Sequence, residues 1–135
     1  VVLATGLGKT WLSAFDSNRP EFVRQTLNSL SENLLADKSD LFIYCDGPKA
    51  DASESELTKI IEVRKAVREK KWCKSVNVIE SSVNKGLARS VTDGVSEIVR
   101  NCGKVIVVED DVLLSKYFLQ FMNDSSIVIC VLFFL

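Results

Sequence analysis

The sequence predicts an α/β fold in three layers, α/β/α, in which helices cover both faces of a Rossmann-like, mostly parallel sheet. Apolar runs of strand length alternate along the chain with segments whose apolar residues recur at helical spacing, an order typical of βαβ units. One run, Ile106–Val108, is apolar without interruption, as expected of a strand buried on both faces. At 135 residues, 47% of them hydrophobic, the chain has the size of one domain.

The first helix and the strand after it carry clear boundary signals. Pro20 opens a helical segment, because proline is tolerated in the first turn of a helix. The apolar residues of this segment recur at helical spacing: Phe22, Val23, Leu27, Leu30 and Leu34. The β-rich run Leu41–Cys45 follows, and the turn signal Asp46-Gly47-Pro48 ends it.

The same order repeats further along the chain. Ser53 and Glu56 have the spacing of a capping box at the start of a second helix, and Val76–Glu80 predicts the next strand. A third helix is indicated by apolar residues at helical spacing: Leu87, Val91, Val95, Ile98 and Val99. Gly103 is placed to end that helix, and the last predicted strand begins just after it.

The composition excludes several kinds of function. The 17 Lys and Arg residues nearly balance the 18 Asp and Glu residues, so no strong field recruits nucleic acid or anionic lipid. The chain has no histidine, and its four cysteines form no C-x-x-C pair, which removes the usual zinc sites and any histidine-based triad. Without a visible signal peptide or a run of about 20 apolar residues, a cytoplasmic location is expected.

Acidic residues follow two of the predicted strands. Glu109, Asp110 and Asp111 come after the last strand, and Asp46 comes after Leu41–Cys45. Parallel sheets bind ligands at the carboxyl ends of their strands. Clustered carboxylates raise one another's pKa values unless a cation is present, so a hard divalent ion that holds a polyphosphate is the predicted occupant. The alternative is an acidic loop that only faces solvent.

Four segments, in this order, carry a family resemblance: SNRPEFVRQTLNSL, LFIYCDGPK, NKGLARSVTDGV and VIVVEDDVLLSKYFLQFM. Together they resemble the nucleotide-binding half of a GT-A-fold glycosyltransferase of the family 2 kind, similar in pattern to the N-acetylglucosaminyltransferase I type. The resemblance covers residues 18–124 and implies a truncated nucleotide-diphospho-sugar transferase fold. The acidic triplet takes the place of the DxD motif of that family.

The resemblance implies a role for each matching residue. Asp111 would bind Mn²⁺ (or Mg²⁺) directly, while Glu109 and Asp110 would face the ribose and base or hold metal-bound water. Asp46 would accept a hydrogen bond from the uracil imide. Three basic residues would approach the donor phosphates: Arg19, Lys85 and Arg89. For Lys85 and Arg89 a solvated helix-end charge is the alternative.

The implied partner is a nucleotide-sugar donor, most simply a UDP-sugar, and the acceptor is not predicted. In the family, the acceptor-binding half and the catalytic base follow the metal motif, so the catalytic residues stay unassigned. We therefore expect the chain to bind a donor without transferring sugar by itself. The resemblance also allows a peripheral association of the parent enzyme with a membrane.

The N-terminal segment VVLATGLGKT carries a second, conflicting signal. It resembles motif I of a superfamily 2 helicase, a P-loop built on four residues: Gly6, Gly8, Lys9 and Thr10. That interpretation starts a helix at Thr10 and makes the chain a P-loop ATP-binding protein. Leu3 departs from the motif, since a glycine belongs there. The alternative is that VVLAT or WLSAF forms the first strand and the Gly-Lys-Thr is a chance match.

These signals divide the chain into three segments. Residues 1–17 are a helicase-like P-loop or a first strand, joined near Asn18 as a fusion artefact under the first interpretation. Residues 18–124 form the donor-binding half-domain. Residues 125–135 form an apolar tail, for which a final strand, a truncated membrane segment and out-of-frame residues are the alternatives. A non-functional fragment is the third function class, beside the transferase and the ATP-binding protein.

Overall fold

The computed structural model describes residues 2–6, 10–15, 19–124 and 129–131, and it describes side chains within 19–124, apart from that of Leu87. The strands are β1 (Val2–Gly6), β2 (Thr10–Phe15), β3 (Ser39–Cys45), β4 (Ser75–Glu80), β5 (Val105–Val107) and β6 (Ile129–Val131). The helices are α1 (Pro20–Ser31), α2 (Glu54–Ala66), α3 (Leu87–Cys102) and α4 (Phe118–Asp124), with a 3-10 turn at Ala36–Lys38. The predicted α/β class is confirmed.

Most strand pairs in the sheet are parallel. β3 pairs with β4 on one side and with β2 on the other, β2 pairs with β5, and β5 pairs with β6, all of them parallel. β1 runs antiparallel to both β2 and β3. It pairs with the first half of β3 (Ser39–Phe42), whereas β2 pairs with the second half (Leu41–Cys45). The carboxyl ends of β2, β3 and β5 therefore share one edge of the sheet.

The side chains of β3 alternate between two apolar clusters, one on each face of the sheet. Helices therefore pack on both faces. Leu41, Ile43 and Cys45 belong to the cluster that holds the buried faces of α1 and α2. Phe42 and Tyr44 pack in the other cluster, together with α3 and with Val105 of β5. Residues 105–107 are all buried, as their uninterrupted apolar run predicts.

The helix boundaries follow the local signals in the sequence. α1 begins at Pro20. The backbone N–H of Glu56 donates to Ser53 Oγ while the N–H of Ser53 donates to Glu56 Oε2, so the predicted capping box is confirmed. Gly103 ends α3 in the left-handed conformation, with a φ of 79° that favours glycine. These ends need no long-range contact, which explains why the sequence reveals them.

The expected helix at Thr10 is wrong, because Thr10–Phe15 is a strand. Threonine, tryptophan and phenylalanine favour strands, and β2 finds parallel partners in both β3 and β5. A P-loop joins a strand to a helix, whereas here Gly6 ends one strand and Thr10 begins the antiparallel next one. Gly8 and Lys9 lie outside the described residues.

The apolar tail contributes a strand to the sheet. Ile129–Val131 pairs parallel with β5, so a final strand is the alternative that matches the structure. In the part of the chain that the structure describes, no helix is long and apolar enough to cross a membrane.

Candidate functional site

The acidic triplet lies where β5 ends, and a basic residue from far away in the sequence reaches it. Arg19, the residue just before α1, places its Nη2 atom 3.5 Å from Asp111 Oδ2. Both side chains are partly exposed, at 44% and 39% respectively. An exposed pair of this kind adds little stability. The structure thus brings together two of the predicted site residues at the carboxyl edge of the sheet.

Asp110 is the buried member of the triplet, with 5% of its surface exposed. Its Oδ2 atom is buried and has no hydrogen-bond partner among the described residues. Burial raises the pKa of Asp110 to about 6, against the smaller opposing effects of its own backbone N–H and of Arg19. Burial and the Asp111 charge also raise the pKa of Glu109. The triplet therefore combines an exposed carboxylate with two that are partly desolvated.

Helix α1 and the turn after it hold the segment that follows β5 through three polar side chains. Thr26 Oγ1 lies 2.8 Å from the carbonyl oxygen of Asp110 and 2.9 Å from that of Val112, and its single proton is shared between them. The N–H of Leu114 donates to Ser29 Oγ. We call Thr26, Ser29 and Asn33, the last of which lies two residues beyond the end of α1, the polar row.

Asn33 completes the row, because its Oδ1 accepts the N–H of Leu119 at 3.0 Å. Sequence reasoning missed these three positioning residues. The available signal was the position of Thr26 next to Leu27 and Leu30 on the apolar face of α1, where a polar residue is unusual. A polar side chain on a buried helix face needs a hydrogen-bond partner, and such a residue indicates a partner elsewhere in the chain.

Asp46 lies at the carboxyl end of β3, but the protein itself occupies its carboxylate. Oδ1 accepts the N–H groups of Gly47 at 2.9 Å and Lys85 at 2.8 Å. Oδ2 accepts those of Lys85 at 3.1 Å and Gly86 at 2.9 Å. In this arrangement a uracil imide would have to compete with three backbone N–H groups for the same carboxylate.

The backbone of Lys85 binds Asp46, and Arg89 pairs with Asp93 within α3. The Lys85 side chain is exposed and borders a cleft of ≈ 140 Å³ between β3, β4 and α3. Four carboxylates line the same cleft: Asp46, Glu80, Asp93 and Glu97. Arg89, in the first turn of α3, places Nε 3.9 Å from Asp93 Oδ2, with 77% of its side chain exposed. Their predicted contact with phosphates stays a prediction.

The donor atoms at the triplet fit a hard divalent cation that takes a single protein carboxylate. Among residues 19–124, no three histidine, cysteine, aspartate or glutamate side chains converge as a metal cluster. Mg²⁺-type sites, however, need only one or two carboxylates when phosphates and water supply the other ligands. Asp111 is the exposed carboxylate of the triplet, so it is the residue that would hold the ion.

Comparison of the chain with protein families, with curated proteins and with solved structures finds no match. The assignment of a function therefore rests on the arrangement of the triplet, Arg19 and Asp46 at one edge of the sheet.

Proposed function

We propose that the chain is the donor-binding half of a GT-A-fold glycosyltransferase, with a Rossmann-like sheet, and that it binds a nucleotide-diphospho-sugar through a divalent cation on Asp111. The observation that carries the proposal is the Arg19–Asp111 pair. It places a guanidinium and an exposed carboxylate together at the carboxyl ends of parallel strands, where sheets of this class bind ligands. The resemblance of residues 18–124 supports the same assignment.

The charges of the pair suit a metal-bound diphosphate. The Asp111 carboxylate attracts a cation, and the Arg19 guanidinium matches the fork geometry of phosphate oxygens. A divalent cation supplies charge neutralisation for the diphosphate leaving group. Arg19 would exchange its partner at 3.5 Å for phosphate.

The partly desolvated carboxylates favour the same ligand. Glu109 and Asp110 both have raised pKa values, so a nearby cation would stabilise their charged forms. Asp46 lies two strand spacings from the triplet, about 10 Å, and a nucleoside diphosphate is long enough to cover both places. No described residue is assigned as a catalytic base, and sugar transfer is not proposed for the chain alone.

Calorimetric titration with UDP plus Mn²⁺ tests the proposal, with ATP plus Mg²⁺ as a parallel titration. We expect UDP binding that requires Mn²⁺ and that Asp111→Asn abolishes. Asp51→Asn is the matched control, since Asp51 is an exposed acid in the loop between β3 and α2. Binding of ATP alone, with loss in Lys9→Ala, would overturn the proposal, and so would UDP binding that Asp111→Asn leaves unchanged.

A further inference from the structure

We propose that Asp46 is a positioning residue, which fixes the loop between β4 and α3, and that its carboxylate does not read the nucleotide base. This inference rests on the proposed function, because it concerns how the same site selects its ligand. Under this inference, Asp46 affects the binding of the diphosphate and its cation. The effect is then the same whichever base the nucleotide carries.

The hydrogen bonds of Asp46 carry the first step of the argument. Each carboxylate oxygen has two lone pairs. Oδ1 accepts the N–H of Gly47, Oδ2 accepts that of Gly86, and the single N–H of Lys85 is shared between the two oxygens. The carboxylate thus binds three backbone N–H groups, from both sides of the gap between β3 and α3, and both of its oxygens are engaged. A base N–H would have to compete with these donors for the same carboxylate.

Three further contacts join the same two segments, residues 46–48 and 81–86, which we call the latch. The N–H of Gly47, which also donates to Asp46 Oδ1, is shared with the carbonyl of Val83 at 3.3 Å, and the N–H of Asn84 donates to the carbonyl of Pro48 at 3.2 Å. The side-chain amide of Asn84 donates to the carbonyl of Gly47 at 3.2 Å. The N–H of Ser81 donates to the carbonyl of Cys45 at 2.9 Å, which extends the latch to the end of β3.

The backbone approach at Gly47 is too close for a side chain. A Cβ atom there would lie 2.5 Å from the backbone nitrogen of Val83 and 2.6 Å from its carbonyl carbon. Both atoms belong to the backbone, so a larger residue at Gly47 would push the two segments apart. Gly47, through its lack of a side chain, and Asp46, through its hydrogen bonds, therefore have the same function, which is to hold the loop against β3.

The latch fixes the position of the N-terminus of α3 and of Arg89, the charged residue in its first turn. Lys85 and Gly86, whose N–H groups bind Asp46, come directly before Leu87, where α3 begins. An ordered loop loses less conformational entropy when a ligand binds than a loop that must first be ordered. Asp46 would thus act on the phosphate side of the ligand through Lys85 and the helix end, without touching the ligand itself.

Two variants test the inference by different means. Asp46→Asn replaces an oxygen acceptor with an N–H₂ group, and Gly47→Ala separates the segments sterically while leaving the carboxylate in place. UDP, ADP and inorganic pyrophosphate, each with Mn²⁺, are titrated into both variants and into the wild type. We expect each variant to weaken all three ligands by the same factor, about tenfold, as for a loop ordered at the moment of binding.

Amide hydrogen exchange provides a readout without any ligand. The amides of Lys85 and Gly86 should lose protection in both variants, while amides in the middle of α2 keep theirs. If either variant fails to fold, Asn84→Ala replaces it, since it removes one side-chain bond of the latch. Asp51→Asn is again the matched control, with unchanged affinities and unchanged exchange.

Two results would overturn the inference. The first is an Asp46→Asn variant that weakens UDP while leaving ADP and pyrophosphate unchanged, which is the signature of a base contact. The second is unchanged exchange at Lys85 and Gly86 in that variant. If the wild type binds none of the ligands, the proposed function fails, and the exchange measurement still decides whether the latch exists.

Discussion

The free energy of unfolding of the wild-type protein is expected to fall as the pH rises, because the carboxyl group of Asp110 is buried. Replacing Asp110 with asparagine is expected to abolish this fall. Burial raises the pKa of the Asp110 carboxyl group from 3.8 to about 6. Between these values the folded protein keeps a proton that the unfolded chain has released, so the free energy of unfolding falls with rising pH. A rise in the pKa from 3.8 to about 6 corresponds to about 3 kcal/mol.

The direction of this effect follows from the raised pKa. The stabilising contribution of the protonated group is fully present below pH 3.8 and is lost as the pH rises through about 6. Asparagine cannot release a proton, so the variant should gain stability relative to the wild type across this window. Near neutral pH it should be the more stable protein, by at most about 3 kcal/mol, since the buried amide has a desolvation cost of its own.

Urea unfolding at a series of pH values measures the difference between the two proteins, with EDTA present because a cation would favour the charged carboxylate. Glu56, whose pKa its hydrogen bonds with Ser53 lower, contributes equally to both proteins and cancels from the difference. Asp51→Asn again serves as the exposed control. A difference that stays constant across the window, or a variant less stable than the wild type near neutral pH, would refute the reasoning.

Three further predictions concern the scaffold. Thr26→Val removes the hydroxyl proton that two buried backbone carbonyls share and should lower the free energy of unfolding by about 1–3 kcal/mol in urea. Ser31→Ala, whose hydroxyl donates to Asn28 within the same helix, should change it little, and equal effects would contradict the assignment. Ser53→Ala should cost about 1 kcal/mol through loss of the capping box, and no change in urea would count against it. In the native protein a thiol reagent should modify the exposed Cys102 before the buried Cys73, because burial raises the pKa of Cys73 to about 12. Mapping by mass spectrometry measures the order, and modification of Cys73 first would contradict the prediction.

The sequence predicts best those features that neighbouring residues decide. Pro20 starts α1 and Gly103 ends α3 because their backbone preferences act within one turn. The strand after Gly103 was also predictable, since an uninterrupted apolar run has few alternatives in a protein of this class. These local rules are enough for the α/β class and for the position of the acidic triplet.

Features decided by distant partners could not be predicted. The Gly-Lys-Thr sequence ending at Thr10 is compatible with a P-loop, and only the pairing of β2 with strands much later in the chain makes that segment a strand. The occupation of Asp46 depends on Lys85 and Gly86, some forty residues further on. The partner of Thr26 is 84 residues away. Sequence spacing contains no signal for such contacts.

The pairing of β5 with β2 limits the order in which parts of the chain can fold. Thr10 of β2 pairs with Val105 of β5, so the middle of the sheet joins segments from opposite ends of the sequence. Contacts at such separation form late in folding, because a long loop must close before they contribute. During synthesis, β3, α2 and β4 leave the ribosome well before β5. The acidic triplet follows β5, so we expect the candidate site to form only after β3, α2 and β4 have folded.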